Sequence, residues 1–281
     1  MENNGLITYR DSYLYVSEDS GLHARRYSGL VITHEMSHFY FGNLVTMKWW
    51  DDLWLNESFA TAVMYLIAEV THKRLQDVEY FEPMQYFIDG VKVAGMNLDS
   101  LESTHPVKSV ITKPDLIETI FDEISYNKGA AVIMQLIDYV GEESFFAGIR
   151  NYLSKFKNSN ADSNDLWNCL SETCNQDIAE IMDHWILKIG FPMVRVQYDE
   201  KVNQITFNQT QYKLSCSSSS GYYAKRDSNH YCLPINISLR YKSGLISTNK
   251  ILMNSSSALI DLDRNEKLEA INVNTGCKSL M

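Results

Sequence analysis

His34-Glu35-Met36-Ser37-His38, followed after 18 further residues by Asn56-Glu57, constrains this chain more than any other feature. On a helix turning about 100° per residue, His34 and His38 lie four apart on one face and can aim imidazole nitrogens at a single ion. A third protein ligand has to come from elsewhere. Glu57, at the start of a second apolar segment, completes a set of two histidines and one glutamate, which leaves a fourth position open for water. An open position belongs to a catalytic ion, so the spacing predicts one Zn²⁺ and a hydrolase. It also predicts the local fold, because two helices must lie side by side for the three ligands to meet.

The rest of the composition sets limits. A chain of 281 residues with 45% hydrophobic content has ample material for a buried core. A formal charge of −10 and the lack of a basic run argue against nucleic acid as a partner and suit a substrate that carries a positive group. Five cysteines, an odd number without metal-type spacing, do not indicate a disulfide framework, although Cys216 and Cys232 are placed to bridge a loop. No apolar run approaches the roughly 18 residues of a membrane span, and the first residues do not resemble a signal peptide. Compartment and oligomeric state are not legible. A cytoplasmic protein and a membrane-anchored or extracellular one are both compatible with the sequence.

Along the chain, residues 27 to 44 read as a largely buried helix that ends near Gly42-Asn43 and carries both histidines. Asp51 and Asp52 stand as N-caps before Leu55, Phe59, Val63, Leu66 and Ile67, so Glu57 falls in an early turn of the next helix. Further helical runs are expected from Pro114 to about Ile124, from Gly129 to Val140, from Glu142 to Phe156, and from Ser163 onward. After Phe191-Pro192 the period changes to two, through Val194, Val196, Tyr198, then Ile205 and Phe207, and later Ile235, Ile237, Leu239 and Tyr241. The run from Ser217 to Asn229 reads as a long surface loop. The expectation is an α+β fold with a boundary near 190: a mainly helical zinc domain over residues 1–190 and a small β-sandwich over 191–281.

Several separate motifs resemble the zinc aminopeptidases that include aminopeptidase N, the puromycin-sensitive enzyme and leukotriene hydrolase. Met1-Glu2-Asn3 resembles the end of that family's Gly-x-Met-Glu-Asn motif. Gly42-Asn43-Leu44-Val45-Thr46-Met47 and the stretch from Trp49 to Glu57 track the link between its two zinc helices, and Tyr126-Asn127-Lys128-Gly129-Ala130 resembles its Tyr-x-Lys-Gly-Ala segment. The resemblance implies an incomplete thermolysin-like catalytic domain, with Glu2 holding a substrate's free amino terminus and Tyr126 as the catalytic tyrosine. It also implies that Glu57 touches that amine while ligating the metal. Against the family's extent the chain looks like a fragment, without an amino-terminal β domain, the opening half of the catalytic domain, or a carboxy-terminal helical domain. Asn4 stands where tryptophan is common, Phe39-Tyr40 replace Gln-Trp, and Ser58 replaces a glycine.

The expected chemistry follows from these residue types. A zinc-bound water loses a proton near neutral pH, Glu35 is placed to take it and return it to the departing amine, and Tyr126 supports the oxyanion. The expected partner is a peptide with a free amino terminus, because a carboxylate such as Glu2 rewards an ammonium through a charge-assisted hydrogen bond. Two other readings stay open here. One is a different hydrolase on the same site, an endopeptidase or epoxide hydrolase; the other is a truncated relative that binds peptides without turnover. His23, His72, His105, His184 and His230 lack partner spacing and read as structural or surface residues. Side-chain preference for the substrate is not predicted.

Overall fold

The helix that carries the two histidines, α2, spans Leu22–Ser37, after a short α1 at Asp11–Leu14. The computed structural model describes residues 1–75, 82–217, 221–227, 230–263 and 265–281. α2 starts earlier than the sequence suggests and stops earlier too, with His38 as its C-cap rather than an interior residue. It is also less buried than expected, since Leu22, Tyr27 and Met36 are exposed and only Ser28, Leu30 and Ser37 are fully covered. Beyond it come β1 (Val45–Met47), a 3-10 turn at Trp50–Asp52 and the long α3 (Trp54–Leu75).

Asp51 and Asp52 are not spent as helix caps. Asp51 accepts the Ile111 backbone N–H at 2.5 Å, while Asp52 accepts the Trp54 indole at 3.2 Å, the Lys108 ammonium at 3.1 Å and the Ser163 hydroxyl. Two carboxylates beside the start of α3 therefore fasten distant loops to the helix that carries Glu57.

Three further segments complete the wall around α3. α4 (Pro83–Tyr86), a π-helical turn at Phe87–Lys92 and α5 (Val93–Asp99) run on continuously. The expected Pro114 to Ile124 helix is only a 3-10 turn, Pro114–Ile120, separated by a bend from a second π-helical turn at Ile124–Lys128. That π turn leads into α6 (Gly129–Val140), whose Ala130, Ala131, Val132, Ile133, Leu136 and Ile137 are all buried. Gly141, at φ +87°, ends α6 and admits α7 (Glu142–Phe156) in a backbone region where a Cβ is strained.

β2 (Ser159–Ala161) pairs in parallel with β1, and α8 (Ser163–Cys174) and α9 (Ile178–Ile186) follow. The start of α8 is fixed by a reciprocal cap, with Asp162 accepting from the Asp165 N–H and Asp165 from the Asp162 N–H. Lys48 bridges both carboxylates at 2.8 and 2.7 Å, tying the β1 segment to that cap.

From Phe191 onward the chain is mainly strand. β3 (Phe191–Asp199) pairs antiparallel with β4 (Gln204–Ser217), which also pairs with β5 (Gly221–Asp227) and β8 (Ser257–Asp261). A second sheet has the order β7 (Ile246–Met253), β6 (Leu233–Tyr241), β9 (Leu268–Val273), all antiparallel. Alternation holds in both: Ile205 and Phe207 on β4, and Ile235, Ile237, Leu239 and Tyr241 on β6, are buried. The expected loop from Ser217 to Asn229 is instead a strand over Gly221–Asp227, because the end of β4 is long enough to pair with it in register from Gln211 to Ser217. Residues 218–220 and 228–229 lie outside the described residues, as does the Cys216 side chain; Cys232 carries a free, buried thiol. The fold is α+β, and among the described residues no helix is long and apolar enough to cross a membrane.

One contact sets the spacing of α3 against α6. A Cβ on Gly129 would lie 1.8 Å from the Ser58 hydroxyl oxygen and 2.8 Å from the Ser58 Cβ, so only glycine allows the two helices this approach. Ser58 is fully buried and donates to the Ser125 carbonyl at 2.5 Å. Gly129→Ala is expected to destabilise by about 1–3 kcal/mol through overpacking, despite alanine's better helix propensity, and Ser58→Gly in the same chain is expected to recover most of that loss. Urea unfolding of the single and double variants checks both.

Candidate metal centre

The end of α2 and the first turn of α3 meet at three donor atoms. His34 Nε2 and His38 Nε2 each lie 3.3 Å from Glu57 Oε2 and 3.1 Å from one another. Ligands of a tetrahedral zinc at about 2.0–2.1 Å stand about 3.3 Å apart, so these three fit the corners of such a site. His38 Nδ1 faces the Phe41 carbonyl at 3.0 Å, and since a carbonyl only accepts, this nitrogen carries the proton and leaves Nε2 for a metal. Gly42, at φ +137°, keeps the turn after His38 tight, where a Cβ would press to 3.3 Å on the His38 carbonyl and the Asn56 amide.

Burial is deep for His38 and Glu57, whose side chains are 2% and 7% exposed, against 13% for His34. Burial works to raise the Glu57 pKa, but hydrogen bonds and charge from His34 and His38 outweigh it and hold the carboxyl down at about 2. The two histidines therefore favour the carboxylate form of Glu57, the form that ligates a metal.

Three other groups face the same space. Glu35, 15% exposed, lines the space beside the two histidines. Glu2, Glu35 and His38 offer ligand atoms all within 4.8 Å of one another, and the Asn43 side chain holds the Glu2 carbonyl at 2.7 Å. Tyr126 stacks its ring on His34, with centroids 6.0 Å apart and planes 18° from parallel. Burial, then the charge and hydrogen bonding of Glu57, push its pKa well up, so its phenol stays protonated and is a donor. A cavity of about 520 Å³ opens beside these groups, lined by His34, Glu35 and Tyr126 together with Tyr27, Tyr65 and Met64.

The structure thus brings together all six residues singled out from sequence: Glu2, His34, Glu35, His38, Glu57 and Tyr126. Residues 1–185 match the Peptidase family M1 domain.

The chain belongs to peptidase family M1. It is 38% identical over 274 residues to "Probable aminopeptidase 1" of Saccharolobus solfataricus, an alignment that covers 98% of this chain and 32% of that protein. "Leucyl aminopeptidase" of the same organism is 41% identical over 215 residues, 76% of this chain and 26% of that protein. "Alanine/arginine aminopeptidase" of Saccharomyces cerevisiae is 38% identical over 273 residues, 97% of this chain and 30% of that protein. This M1 chain therefore spans about a third or less of the length of the relatives it matches.

One contact beside the site has no signal in the sequence. His105, expected to be structural or at the surface, pairs with Asp122 at 2.9 Å, directly ahead of the turn that carries Tyr126. Its partner is 17 positions away in an irregular segment, where no period announces it. Burial works against the charge on His105, but Asp122 and the Pro106 carbonyl overcome it and raise the pKa despite the opposing charge of Lys128. Burial likewise opposes the charge on Asp122, yet His105 and two backbone N–H groups lower its pKa. A raised histidine stabilises the fold most below about 6.5 and stops doing so as pH climbs through its folded value. A lowered aspartate loses its contribution only as pH falls through its own. The pair therefore supports the M1 chain best across mildly acid pH. In an NMR titration the His105 ring is expected to have its midpoint above that of a free histidine, and Asp122→Asn to lower it, because burial and the Lys128 charge are then opposed only by the Pro106 carbonyl.

Proposed function

We propose that this chain carries the zinc centre of an M1 aminopeptidase, which hydrolyses the amino-terminal residue from peptides. The carrying observation is the meeting of His34, His38 and Glu57 at zinc-like spacing, with Glu35, Glu2 and Tyr126 around the same point. In this reading the helical part, 1–190, belongs to a thermolysin-like catalytic domain, and residues 191–281 form a β-sandwich.

His34, His38 and Glu57 would hold one Zn²⁺, which when bound would supply a Lewis acid for the scissile carbonyl and a lowered pKa for a water. Glu35, next in sequence to a ligand but not itself one, takes the attacking water's proton on a carboxylate oxygen and returns it to the departing nitrogen. The Tyr126 phenol donates to the oxygen on which negative charge builds; loss of such a donor costs about 10²–10³ in rate. Glu2 binds the substrate ammonium by a charge-assisted hydrogen bond, which favours a peptide's first residue over an internal one. Glu2 also favours the exopeptidase reading over an endopeptidase, which has no free amine to recognise.

Glu35→Gln is expected to keep zinc, measured by elemental analysis, while turnover falls by about 10²-fold or more. Glu57→Gln is expected to lose the metal itself. The deciding experiment is hydrolysis of aminoacyl-coumarin amides, free and N-acetylated, with and without a chelator. Chelator-sensitive release from free amines alone is the expected result. No release from folded, zinc-loaded protein overturns the proposal, and equal use of acetylated substrates removes Glu2 from its role.

A further inference from the structure

Tyr126 sits on a π-helical turn, Ile124–Lys128, that has no element of regular structure before it, only the bend after Ile120. A π turn is wider and less favourable than an α turn, and it persists where outside contacts hold it. Asp122 supplies them. Its Oδ1 accepts the Ile124 N–H at 2.9 Å and the Ser125 N–H at 3.4 Å, while its backbone carbonyl accepts the Tyr126 N–H at 3.1 Å. The other carboxylate oxygen, Oδ2, is held by His105 Nε2 at 2.9 Å.

His105 is itself fixed on its far side. Its Nδ1 lies 2.8 Å from the Pro106 carbonyl and 2.9 Å from the Ser109 hydroxyl, which donates to the same carbonyl and so can receive the imidazole N–H. With an acceptor at Nδ1 and a carboxylate at Nε2, both ring nitrogens act as donors and the ring is an imidazolium. The ion pair is 23% and 28% exposed on its two sides, so water has only limited access to it.

We propose that the His105–Asp122 ion pair is a positioning device for Tyr126: it anchors the carboxylate that holds the first amides of the π turn, and so sets where the phenol points. The inference rests on the proposed role of Tyr126. Its energetic logic is that a donor helps only if it is held within a fraction of an ångström of the developing charge, and a misplacement of about 1 Å can cost 10²-fold. Neither His105 nor Asp122 needs to touch the substrate. Their removal is expected to act on the chemical step while leaving the ligand set and ground-state binding in place.

The test is a double-mutant cycle in the zinc-loaded protein, using the aminoacyl-coumarin amides. His105→Gln is expected to lower kcat roughly 10- to 100-fold with KM within about threefold and zinc content unchanged. In a Tyr126→Phe background the same substitution is expected to lower kcat no further, since there is no phenol left to place. Hydrogen exchange gives a readout independent of turnover. The Ile124 and Ser125 amides are expected to exchange at least about tenfold faster in His105→Gln and in Asp122→Ala. Asp122→Asn, which keeps an oxygen for those amides but no charge, should fall between wild type and Asp122→Ala. Unchanged protection of these amides, or an equal kcat loss with and without Tyr126, overturns the positioning role. Full activity in Tyr126→Phe alone would instead remove the role of Tyr126 on which the inference rests, so the two failures are told apart.

Discussion

A fully buried ion pair joins the parts of this molecule that must stay in register. Lys128 and Asp99 are 0% exposed and lie 2.8 Å apart; the ammonium also donates to the Lys188 carbonyl at 3.0 Å and the Gly190 carbonyl at 3.3 Å. Asp99 accepts the Gly190 N–H at 2.8 Å. Four points of the chain therefore converge on one charge pair: the end of α5, the π turn that bears Tyr126, the exit from α9, and the entry to β3. Burial alone pushes the Lys128 pKa down, and a lone charge in such a place would cost several kcal/mol. The cost is tolerable only if all the partners arrive together, which makes the pair a test of correct assembly as well as a bond.

Around that anchor, the site is assembled from short irregular pieces rather than from helix faces alone. His34 is on the last turn of α2, His38 caps it, and Glu57 lies in the first turn of α3, so the candidate ligand atoms converge where one helix stops and the next begins. The Ser58 to Ser125 contact and the close passage of Gly129 lock α3 against the Tyr126 turn. Asp52 and Asp51 then tie the root of α3 to residues 108–111 and 163. The ligand helix is thus braced on three sides by polar contacts specific enough to fix its rotation, while apolar packing such as the stacked Phe41 and Phe59 rings, 4.6 Å apart, supplies the bulk of the attraction.

Much of this was legible from the residues, for physical reasons that also explain the gaps. Gly129 to Val140 and Glu142 to Phe156 carry clean helical periods bounded by a glycine at positive φ, and both helices stand where they were expected. The end of α2 is not legible because the apolar run continues through Phe39 to Leu44, whereas the chain turns at His38, whose ring satisfies the Phe41 carbonyl. The strand at Gly221–Asp227 was hidden because its pairing with β4 is a long-range fact, and local composition there favours a loop. His34, His38 and Glu57 could be read from spacing alone. Glu2 and Tyr126 needed the resemblance, since Glu2 lies in no regular element and Tyr126 sits in a π turn with no sequence period of its own. The pairing of His105 with Asp122 is not legible because it is fixed by the fold.

The segment Cys277–Met281 threads back between the helices and the second sheet. Lys92 donates to the Cys277 and Ser279 carbonyls, the Leu280 N–H reaches the Gln135 side chain at 2.7 Å, and Leu280 belongs to the same apolar cluster as Leu30, Trp54 and Ile237. That cluster runs from the helices that bear the candidate ligands into the strands, so the two parts share apolar packing. Whatever binds at the histidines would then lend the strands stability in the measure that this shared core couples them, and a cavity opened under β6 would be felt, in the same measure, at the site.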